Sequence, residues 1–293
     1  MENIQNNISQ KNIHGVHPIK LGLVGKSLSH SLSPRIHSYL FEKLGISGTY
    51  KKYEVSEHEV LSIIPMMRRE NILGFNVTIP YKETLFHLVD ECDEHAKNIG
   101  AINTIKCKDG VSYGYNTDYL GVIQMFRNAN VSLQGKDIVI LGSGGSTKAL
   151  IYAFNLEGAN KITVSARNLN SSQELKLQFP FIEIQDLSGL IEKASKGDII
   201  VNTTPVGMFP KIDESPVPES TLANFKVAGD IVYNPLVTKF LTLAKKQNLK
   251  IVTGLSMLVN QAIASEEIWL EQKIDYEMSG EIENFLTEKD YPL

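Results

Sequence analysis

Cysteine and long apolar runs are both scarce in this chain of 293 residues. The two cysteines, Cys92 and Cys107, lack CxxC spacing, so neither a disulfide framework nor a structural zinc site is indicated, and we expect a cytoplasmic location. No apolar run reaches the roughly 18 residues that span a bilayer, and residues 1–18 contain no apolar segment typical of a signal peptide. We therefore expect no membrane partner and predict a disordered tail over residues 1–18.

Positive charge is also in short supply. The chain has 29 Lys and Arg against 33 Asp and Glu, and its formal net charge is −4. Such a chain has no broad basic surface, so we expect no nucleic-acid partner, and any phosphate-binding site must be local. The length suits two domains of ordinary size.

The first third of the chain alternates short apolar runs with helical patterns. Apolar spacing predicts a helix over 34–44, which Ser33 would cap and Gly45 would end. A second helix is predicted over 57–69, with a kink at Pro65. Strands are predicted over 20–25, 50–55 and 74–78. This alternation predicts an α/β domain.

A different pattern begins near residue 136. A strand over 138–141, a glycine turn, a helix over 147–157 and a strand over 161–165 form one βαβ unit, which indicates a Rossmann-like domain. The same alternation continues with predicted strands over 198–202, 227–231 and 250–253, and with a helix over 236–247. Residues 255–293 are predicted to be mainly helical.

The glycine turn is a candidate dinucleotide site, formed by Gly142, Ser143, Gly144, Gly145 and Ser146. Glycines let the backbone approach a pyrophosphate closely, and N–H groups at the start of the next helix bind its oxygens. Thr147 replaces the third glycine of the usual GxGxxG pattern. A turn without a ligand is therefore the alternative, although the βαβ context favours phosphate binding.

The second strand of this unit indicates which dinucleotide binds. NAD-selective sites place an acidic residue here to hold the ribose 2′-hydroxyl. This chain has none, and the strand ends instead at Ser165, Ala166 and Arg167. The guanidinium of Arg167 can pair with a 2′-phosphate, so NADP is the predicted cofactor. The alternative is a solvated arginine in a loop.

Three polar segments are candidates for a substrate site. Residues 76–82 end a strand and carry the amine of Lys82, which could accept the hydroxyl proton when a secondary alcohol is oxidised. Residues 116–118 add amide, hydroxyl and carboxylate groups, which suit a polyol. In residues 27–33 serines recur at every second position before a helix, an arrangement that suits a carboxylate. Taken singly, each group also fits an ordinary capping or solvated role.

These motifs, in order and spacing, resemble the shikimate dehydrogenase family from about Ile19 onwards; the family also carries a non-glycine residue at the position of Thr147. The resemblance implies that Lys82 and Asp118 are the catalytic pair. It implies that the substrate-binding residues are Ser31, Ser33, Thr78, Asn103, Asn116 and Gln261. It adds Asn202, Thr203, Met208 and Gly254 to the cofactor-binding residues. Ala166 stands where the family usually has asparagine. The side chain that would make one hydrogen bond on the adenosine side of the cofactor is therefore missing.

The fold that the resemblance implies is α/β with two domains and a cleft between them. A substrate-binding catalytic domain would comprise residues 19–120 and 255–293, and a Rossmann-like NADP-binding domain would comprise residues 121–254. The implied partners are shikimate and 3-dehydroshikimate, interconverted by a monomer or homodimer in aromatic amino acid (chorismate) biosynthesis. No metal is expected, and residues 87–95 are interpreted as a solvated acidic helix face. A quinate/shikimate dehydrogenase using NAD or NADP, or a non-catalytic ligand-sensing relative, remains an alternative.

Overall fold

The computed structural model describes residues 18–167, 169–192 and 196–290. The tail predicted for residues 1–18 lies outside this part of the chain, apart from residue 18. The strands form two six-stranded sheets, one in the first half of the chain and one in the second. None of the helices in the described ranges has the length and apolar character of a bilayer span.

The first sheet is mixed, with the order β2-β1-β3-β5-β6-β4. Its strands are β1 (Ile19–Gly25), β2 (Gly48–Glu54), β3 (Gly74–Val77), β4 (Glu91–Cys92), β5 (Thr104–Lys108) and β6 (Val111–Tyr115). Strand β1 runs parallel to β2 and β3, whereas β5 is antiparallel to β3 and β6. The helices of this half are α1 (Ser33–Leu44), α2 (Ile63–Arg69), α3 (Lys82–Phe86), α4 (Glu94–Ile99) and α5 (Asp118–Asn128).

The second sheet is entirely parallel and confirms the predicted Rossmann-like topology. Its strands are β7 (Asp137–Leu141), β8 (Lys161–Ala166), β9 (Glu183–Asp186), β10 (Ile199–Asn202), β11 (Val227–Asp230) and β12 (Lys250–Val252). They are ordered β12-β11-β10-β7-β8-β9, so the direction in which successive strands are added to the sheet reverses between β7 and β10. Ligands of such sheets bind beyond the carboxyl ends of the strands at this reversal.

The remaining helices cover the second sheet or return to the first. They are α6 (Gly145–Leu156), α7 (Leu169–Gln178), α8 (Leu187–Glu192), α9 (Glu219–Leu222), α10 (Lys239–Lys246), α11 (Gly254–Leu270) and α12 (Met278–Asp290). Buried residues of α11 and α12, including Val259 and Ile282, pack in one cluster with Ile36 and Leu40 of α1. This packing supports a first domain completed by the last helices, while the limits at residues 120 and 254 remain predictions.

The start of α1 differs from the prediction. Leu32, in helical conformation and without a side-chain hydrogen bond, occupies the N-cap position, and Ser33 is already helical. The reason is a turn in which Ser31 N donates to Leu28 O at 3.1 Å, so the chain enters the helix from a bend instead of an extended segment. Gly45 ends the helix in the left-handed region, with φ of 65°, as predicted.

Two other helical predictions were wrong in part. The helix predicted over 57–69 is a 3₁₀ turn over Glu59–Ser62 followed by α2. Pro65 lies in the first turn of α2, where backbone N–H groups have no partner within the helix. The N–H group that proline lacks therefore costs no helical hydrogen bond, and Pro65 causes no internal kink. Residues 87–95 are a turn, the short strand β4 and the start of α4, and not one helix face. Asp93 instead caps α4 by accepting a hydrogen bond from Ala96 N at 2.7 Å.

Candidate functional site

The site begins where β3 ends and α3 starts. Strand β3 is buried along its whole length, so the segment that follows it is fixed at the sheet edge. Tyr81 anchors this segment by donating from its hydroxyl to Val55 O at 2.6 Å. Lys82 is therefore the first residue of a short helix whose base is held to the sheet, with its side chain only 17% exposed.

Lys82 and Asp118 lie in contact, as the family resemblance implies. Lys82 Nζ donates to Asp118 Oδ2 at 2.6 Å, and the aspartate side chain is 9% exposed. Asp118 is the first residue of α5, and its backbone N–H donates to Asn116 Oδ1 at 3.1 Å. An amine and a carboxylate are thus held together at the edge of the buried interior, a position that permits proton exchange with a bound alcohol.

Asn103 fixes the second oxygen of Asp118. Asn103 Nδ2 donates to Asp118 Oδ1 at 2.9 Å and to Gln261 Oε1 at 3.2 Å. Asn103 Oδ1 accepts from Thr117 N at 2.6 Å. Because its two carboxylate oxygens have different partners, Asp118 cannot turn away from Lys82 without breaking a buried hydrogen bond.

The other predicted substrate contacts lie close to this pair, but some have structural partners. Asn116 Nδ2 donates to Ala101 O at 3.0 Å, so both ends of its amide shape the loop before α5. Gln261 Nε2 donates to Leu258 O at 2.8 Å within α11. Thr78 is half-buried directly after β3. Substrate contact by these three residues remains a prediction.

A buried polar network behind the pair was missed from the sequence. Asn76 on β3 donates from Nδ2 to Ser265 Oγ of α11 at 2.9 Å and to Thr104 Oγ1 of β5 at 3.2 Å. Ser265 also lies 3.1 Å from Thr117 Oγ1. One signal for this network was available, because Asn76 is an amide inside an otherwise apolar buried strand, where it requires polar partners.

Only part of the serine segment faces inward. Ser27 and Ser29 are exposed, whereas Ser31 is half-buried and Ser33 is 6% exposed. The turn at Leu28–Ser31 breaks the extended geometry that would have aligned all four hydroxyls. Ser31 Oγ donates to Ser33 Oγ at 3.3 Å, which gives two adjacent hydroxyls at the start of α1. This pair is the candidate carboxylate site.

A cavity of about 640 Å³ lies beyond the ends of β7 and β10, where the strand order of the second sheet reverses. Its walls come from the ends of three strands: Gly142, Ser143 and Gly144 after β7, Ser165, Ala166 and Arg167 at the end of β8, and Thr203, Thr204, Pro205 and Val206 after β10. Gly145 and Ser146 form the adjoining first turn of α6. The cavity also contacts Leu187 and residues 214–216, which carry no motif and were missed from the sequence.

The backbone of the glycine turn is suited to a phosphate. Gly142 has φ of 110°, and a Cβ atom there would lie 2.8 Å from Thr203 Oγ1. Among the described residues other than its chain neighbours, none has an atom within 4 Å of a Cβ built at Gly144, so that glycine leaves open space. Thr147, which replaces the third glycine, is buried. Its hydroxyl donates to Gly142 O at 3.1 Å, and its Oγ1 lies 2.9 Å from Thr203 Oγ1. It therefore joins the loops after β7 and β10.

Arg167 is exposed at the end of β8 and lines the far side of this cavity. Ser143 lines the same cavity, and its hydroxyl oxygen lies 2.6 Å from that of Ser171. The arrangement offers a guanidinium and hydroxyl groups to an anion, and no acidic side chain ends β8. These features fit the 2′-phosphate of NADP.

The remaining predicted cofactor residues do not line the cavity. Asn202 is fully buried, and its Nδ2 donates to Asp230 Oδ1 at 3.0 Å while its Oδ1 accepts from Thr204 N at 3.0 Å. Met208 is exposed on the loop beyond. Gly254 packs on backbone, since a Cβ there would lie 2.4 Å from Ile231 O. Asn202 thus shapes the cavity loop, and direct cofactor contact by these three residues remains a prediction.

Asp230, behind this loop, has unusual electrostatics. It is fully buried, and that burial raises the pKa of its carboxyl to about 7. Hydrogen bonds from Thr238, Val232 and Asn202 oppose the rise. Thr238 Oγ1 donates to Asp230 Oδ2 at 2.7 Å, and Val232 N donates to Oδ1 at 3.0 Å.

The cavity and the Lys82 segment are neighbours. Lys148 Nζ of α6 lies 2.7 Å from Glu83 Oε1, on the residue that follows Lys82. The helix that begins at the glycine turn is therefore tied to the helix that carries the amine. Across the described ranges, no cluster of three or more His, Cys, Asp or Glu side chains is arranged to hold a metal ion.

Comparison with known proteins identifies relatives along most of the chain. A family model described as "Shikimate dehydrogenase substrate binding domain" matches residues 23–105. The shikimate dehydrogenase (NADP(+)) of Clostridium beijerinckii is 41% identical over 259 residues, which cover 88% of this chain and 94% of that protein.

Solved structures agree with this assignment. The crystal structure of shikimate dehydrogenase 1 from Peptoclostridium difficile superposes with a TM-score of 0.85 at 43% identity, covering 92% of this chain and 98% of that chain. The shikimate 5-dehydrogenase from Thermus thermophilus, in complex with NADP(H) and shikimate, superposes with a TM-score of 0.82 at 29% identity, covering 91% and 99%.

Proposed function

The chain belongs to the shikimate dehydrogenase family, and from this premise we propose that it catalyses the NADP-dependent, reversible reduction of 3-dehydroshikimate to shikimate in aromatic amino acid biosynthesis. The observation that carries the proposal is the 2.6 Å contact between Lys82 and Asp118, beside a glycine turn suited to a dinucleotide.

Proton transfer is the proposed task of Lys82. When shikimate is oxidised, the carbon that bears the reacting hydroxyl loses a hydride, and the hydroxyl loses a proton. Bound NADP supplies the hydride acceptor. Lys82 accepts the hydroxyl proton in this direction and returns it to the carbonyl oxygen during reduction. Asp118, held by Asn103, orients the amine and binds a neighbouring ring hydroxyl.

Substrate orientation is proposed to depend on the opposite end of the site. Ser31 and Ser33 offer adjacent hydroxyl donors at the start of α1, where the helix dipole favours an anion. A carboxylate bound there, with ring hydroxyls at Asn103 and Asp118, would present one alcohol to Lys82. Quinate carries a similar carboxylate, so this geometry alone does not exclude it as a second substrate.

The cofactor proposal rests on Arg167. Its side chain lines the cavity at the end of β8, where an NAD-selective site would need an acidic residue. We propose that Arg167 pairs with the 2′-phosphate and that Gly142–Ser146 binds the pyrophosphate. The free thiols of Cys92 and Cys107 support the proposed cytoplasmic location. A monomer or homodimer is the proposed assembly.

The test is an absorbance assay with purified protein. Shikimate with NADP should produce reduced cofactor promptly, while shikimate with NAD should react far more slowly at equal concentration. Comparable rates with both cofactors, or a faster rate with quinate, would favour the broader quinate/shikimate activity. Binding of shikimate without turnover would favour a ligand sensor, against which the intact Lys82–Asp118 contact argues.

A further inference from the structure

Tyr50 lies between the two ends of the proposed site. It is on β2, the edge strand of the first sheet, and its hydroxyl donates to Asn76 Oδ1 at 2.7 Å. The ring of Tyr50 also stacks on His37 of α1, the helix that begins at Ser33 of the candidate carboxylate site. One residue therefore contacts both that helix and the buried amide behind the catalytic pair.

From Asn76 the hydrogen bonds continue to Asp118. Asn76 Nδ2 donates to Ser265 Oγ, which lies 3.1 Å from Thr117 Oγ1. Thr117 N donates to Asn103 Oδ1, and Asn103 Nδ2 donates to Asp118 Oδ1. This series of contacts, here called the buried relay, runs from β2 through β3 and α11 to the start of α5.

The ring of Tyr50 is held in place from one side. His37 stacks on it with ring centroids 4.1 Å apart and an interplanar angle of 9°. His37 Nδ1 in turn lies 2.7 Å from Glu266 Oε1, and both side chains are fully buried. Since His37 belongs to α1 and Glu266 to α11, this contact also fixes the helix that carries Ser33 against the helix that carries Ser265.

The phenol is a permanent donor. Burial, followed by the charge of Glu266, raises the pKa of Tyr50 well above its ordinary value. The hydroxyl therefore keeps its proton throughout the pH range of an enzyme assay, and it can donate to Asn76 at every pH in that range.

We propose that Tyr50 is a positioning residue for the proton-transfer end of the site: its ring rests on α1 through His37, and its hydroxyl holds Asn76 and the buried relay that ends at Asp118. The inference rests on the proposed function. It assigns no substrate contact to Tyr50, which acts through its neighbours.

Loss of the hydroxyl should be felt at the proton-transfer end. In Tyr50→Phe, Asn76 Oδ1 loses the donor at 2.7 Å, whereas the ring keeps its stacking on His37. An unsatisfied buried acceptor typically costs enough to shift an equilibrium or rate by about tenfold. We expect kcat for shikimate oxidation to fall about tenfold, with KM for shikimate and KM for NADP each changed by less than about twofold.

The experiment compares Tyr50→Phe with Tyr53→Phe. Tyr53 is on the same strand, and it packs edge-on against Phe75 without belonging to the buried relay. Steady-state kinetics are measured for both variants with shikimate and with NADP, and the active fraction is obtained from single-turnover amplitude.

The outcomes separate the inference from the function on which it rests. The inference is supported if Tyr50→Phe, and not Tyr53→Phe, lowers kcat per active molecule while KM for shikimate and KM for NADP stay unchanged. It is overturned if the loss disappears after correction for active fraction, if either KM rises equally, or if Tyr53→Phe behaves alike. Wild-type protein that cannot oxidise shikimate refutes the proposed function and this inference together, whereas active wild type with a silent Tyr50→Phe refutes the inference alone.

Discussion

The buried carboxyl of Asp230 makes protein stability depend on pH in an unusual direction. Its pKa is about 7 in the folded protein, against 3.8 for an unperturbed aspartate. Between these values the folded state holds a proton that the unfolded state has lost. The contribution of Asp230 to the free energy of unfolding is therefore greatest below about pH 4, and it is lost as pH rises through 7.

The magnitude follows from the size of the shift. The difference between 3.8 and about 7 is roughly three pKa units. At about 1.4 kcal/mol per unit, ionisation of Asp230 lowers the free energy of unfolding by about 4 kcal/mol above pH 7. This is a large share of the free energy of unfolding of a typical folded domain, which is roughly 5–15 kcal/mol.

Asp230→Asn is the informative perturbation, since an amide has the shape of the protonated acid and no proton to lose. Its oxygen can still accept from Asn202 and Val232, and the Thr238 hydroxyl can rotate to accept from the new amide. The variant should match wild type near pH 4, within about 1 kcal/mol, and exceed it by about 3–4 kcal/mol at pH 8.

Urea titrations at intervals from pH 4 to pH 8 measure this difference. Asp198→Asn is the matched control, because the hydrogen bond from Lys226 lowers the pKa of Asp198 and its substitution should change stability in the opposite direction. If the difference between Asp230→Asn and wild type stays constant over this range, Asp230 does not change protonation there, and the reasoning from burial is refuted.

Three further predictions concern the site itself. Arg167→Ala should raise KM for NADP by about thirtyfold and leave KM for NAD unchanged, because only the 2′-phosphate loses charge-assisted hydrogen bonds; equal effects on both cofactors would contradict this. Gly142→Ala should lower both Tm and dinucleotide affinity, because φ of 110° is strained for alanine and its Cβ would meet Thr203 Oγ1 at 2.8 Å; calorimetry showing neither change would count against it. Asp118→Asn should lower kcat by about a hundredfold, and an unchanged kcat would exclude the proposed pairing with Lys82.

Local signals account for the parts of the fold that were predicted correctly. The βαβ unit around residues 137–166 combines a buried strand, a glycine turn and a helix in sequence, so its topology follows from neighbours in the chain. The end of α1 at Gly45 likewise depends on one residue in the left-handed region. Family resemblance, not periodicity, implied that the last helices return to the first sheet.

The errors and omissions depend on contacts between distant residues. Leu28 N donates to Glu54 Oε1 at 2.6 Å, which helps to hold the bend that displaces the predicted cap at Ser33. Asn76 and Ser265 are 189 positions apart, so no local pattern links them. The same holds for His37 and Glu266, whose pairing depends on how α11 packs against α1.

Comparison of Lys82→Ala with Lys148→Ala tests whether Lys82 transfers the proton of the alcohol. The two lysines are matched, since each lies 2.6–2.7 Å from an acidic side chain and each is 17–19% exposed. We predict that Lys82→Ala lowers kcat for shikimate oxidation by at least about a hundredfold while the Kd for NADP stays unchanged, and that Lys148→Ala changes kcat by less than about threefold. A Lys82→Ala protein that retains more than about a third of wild-type kcat would contradict the account.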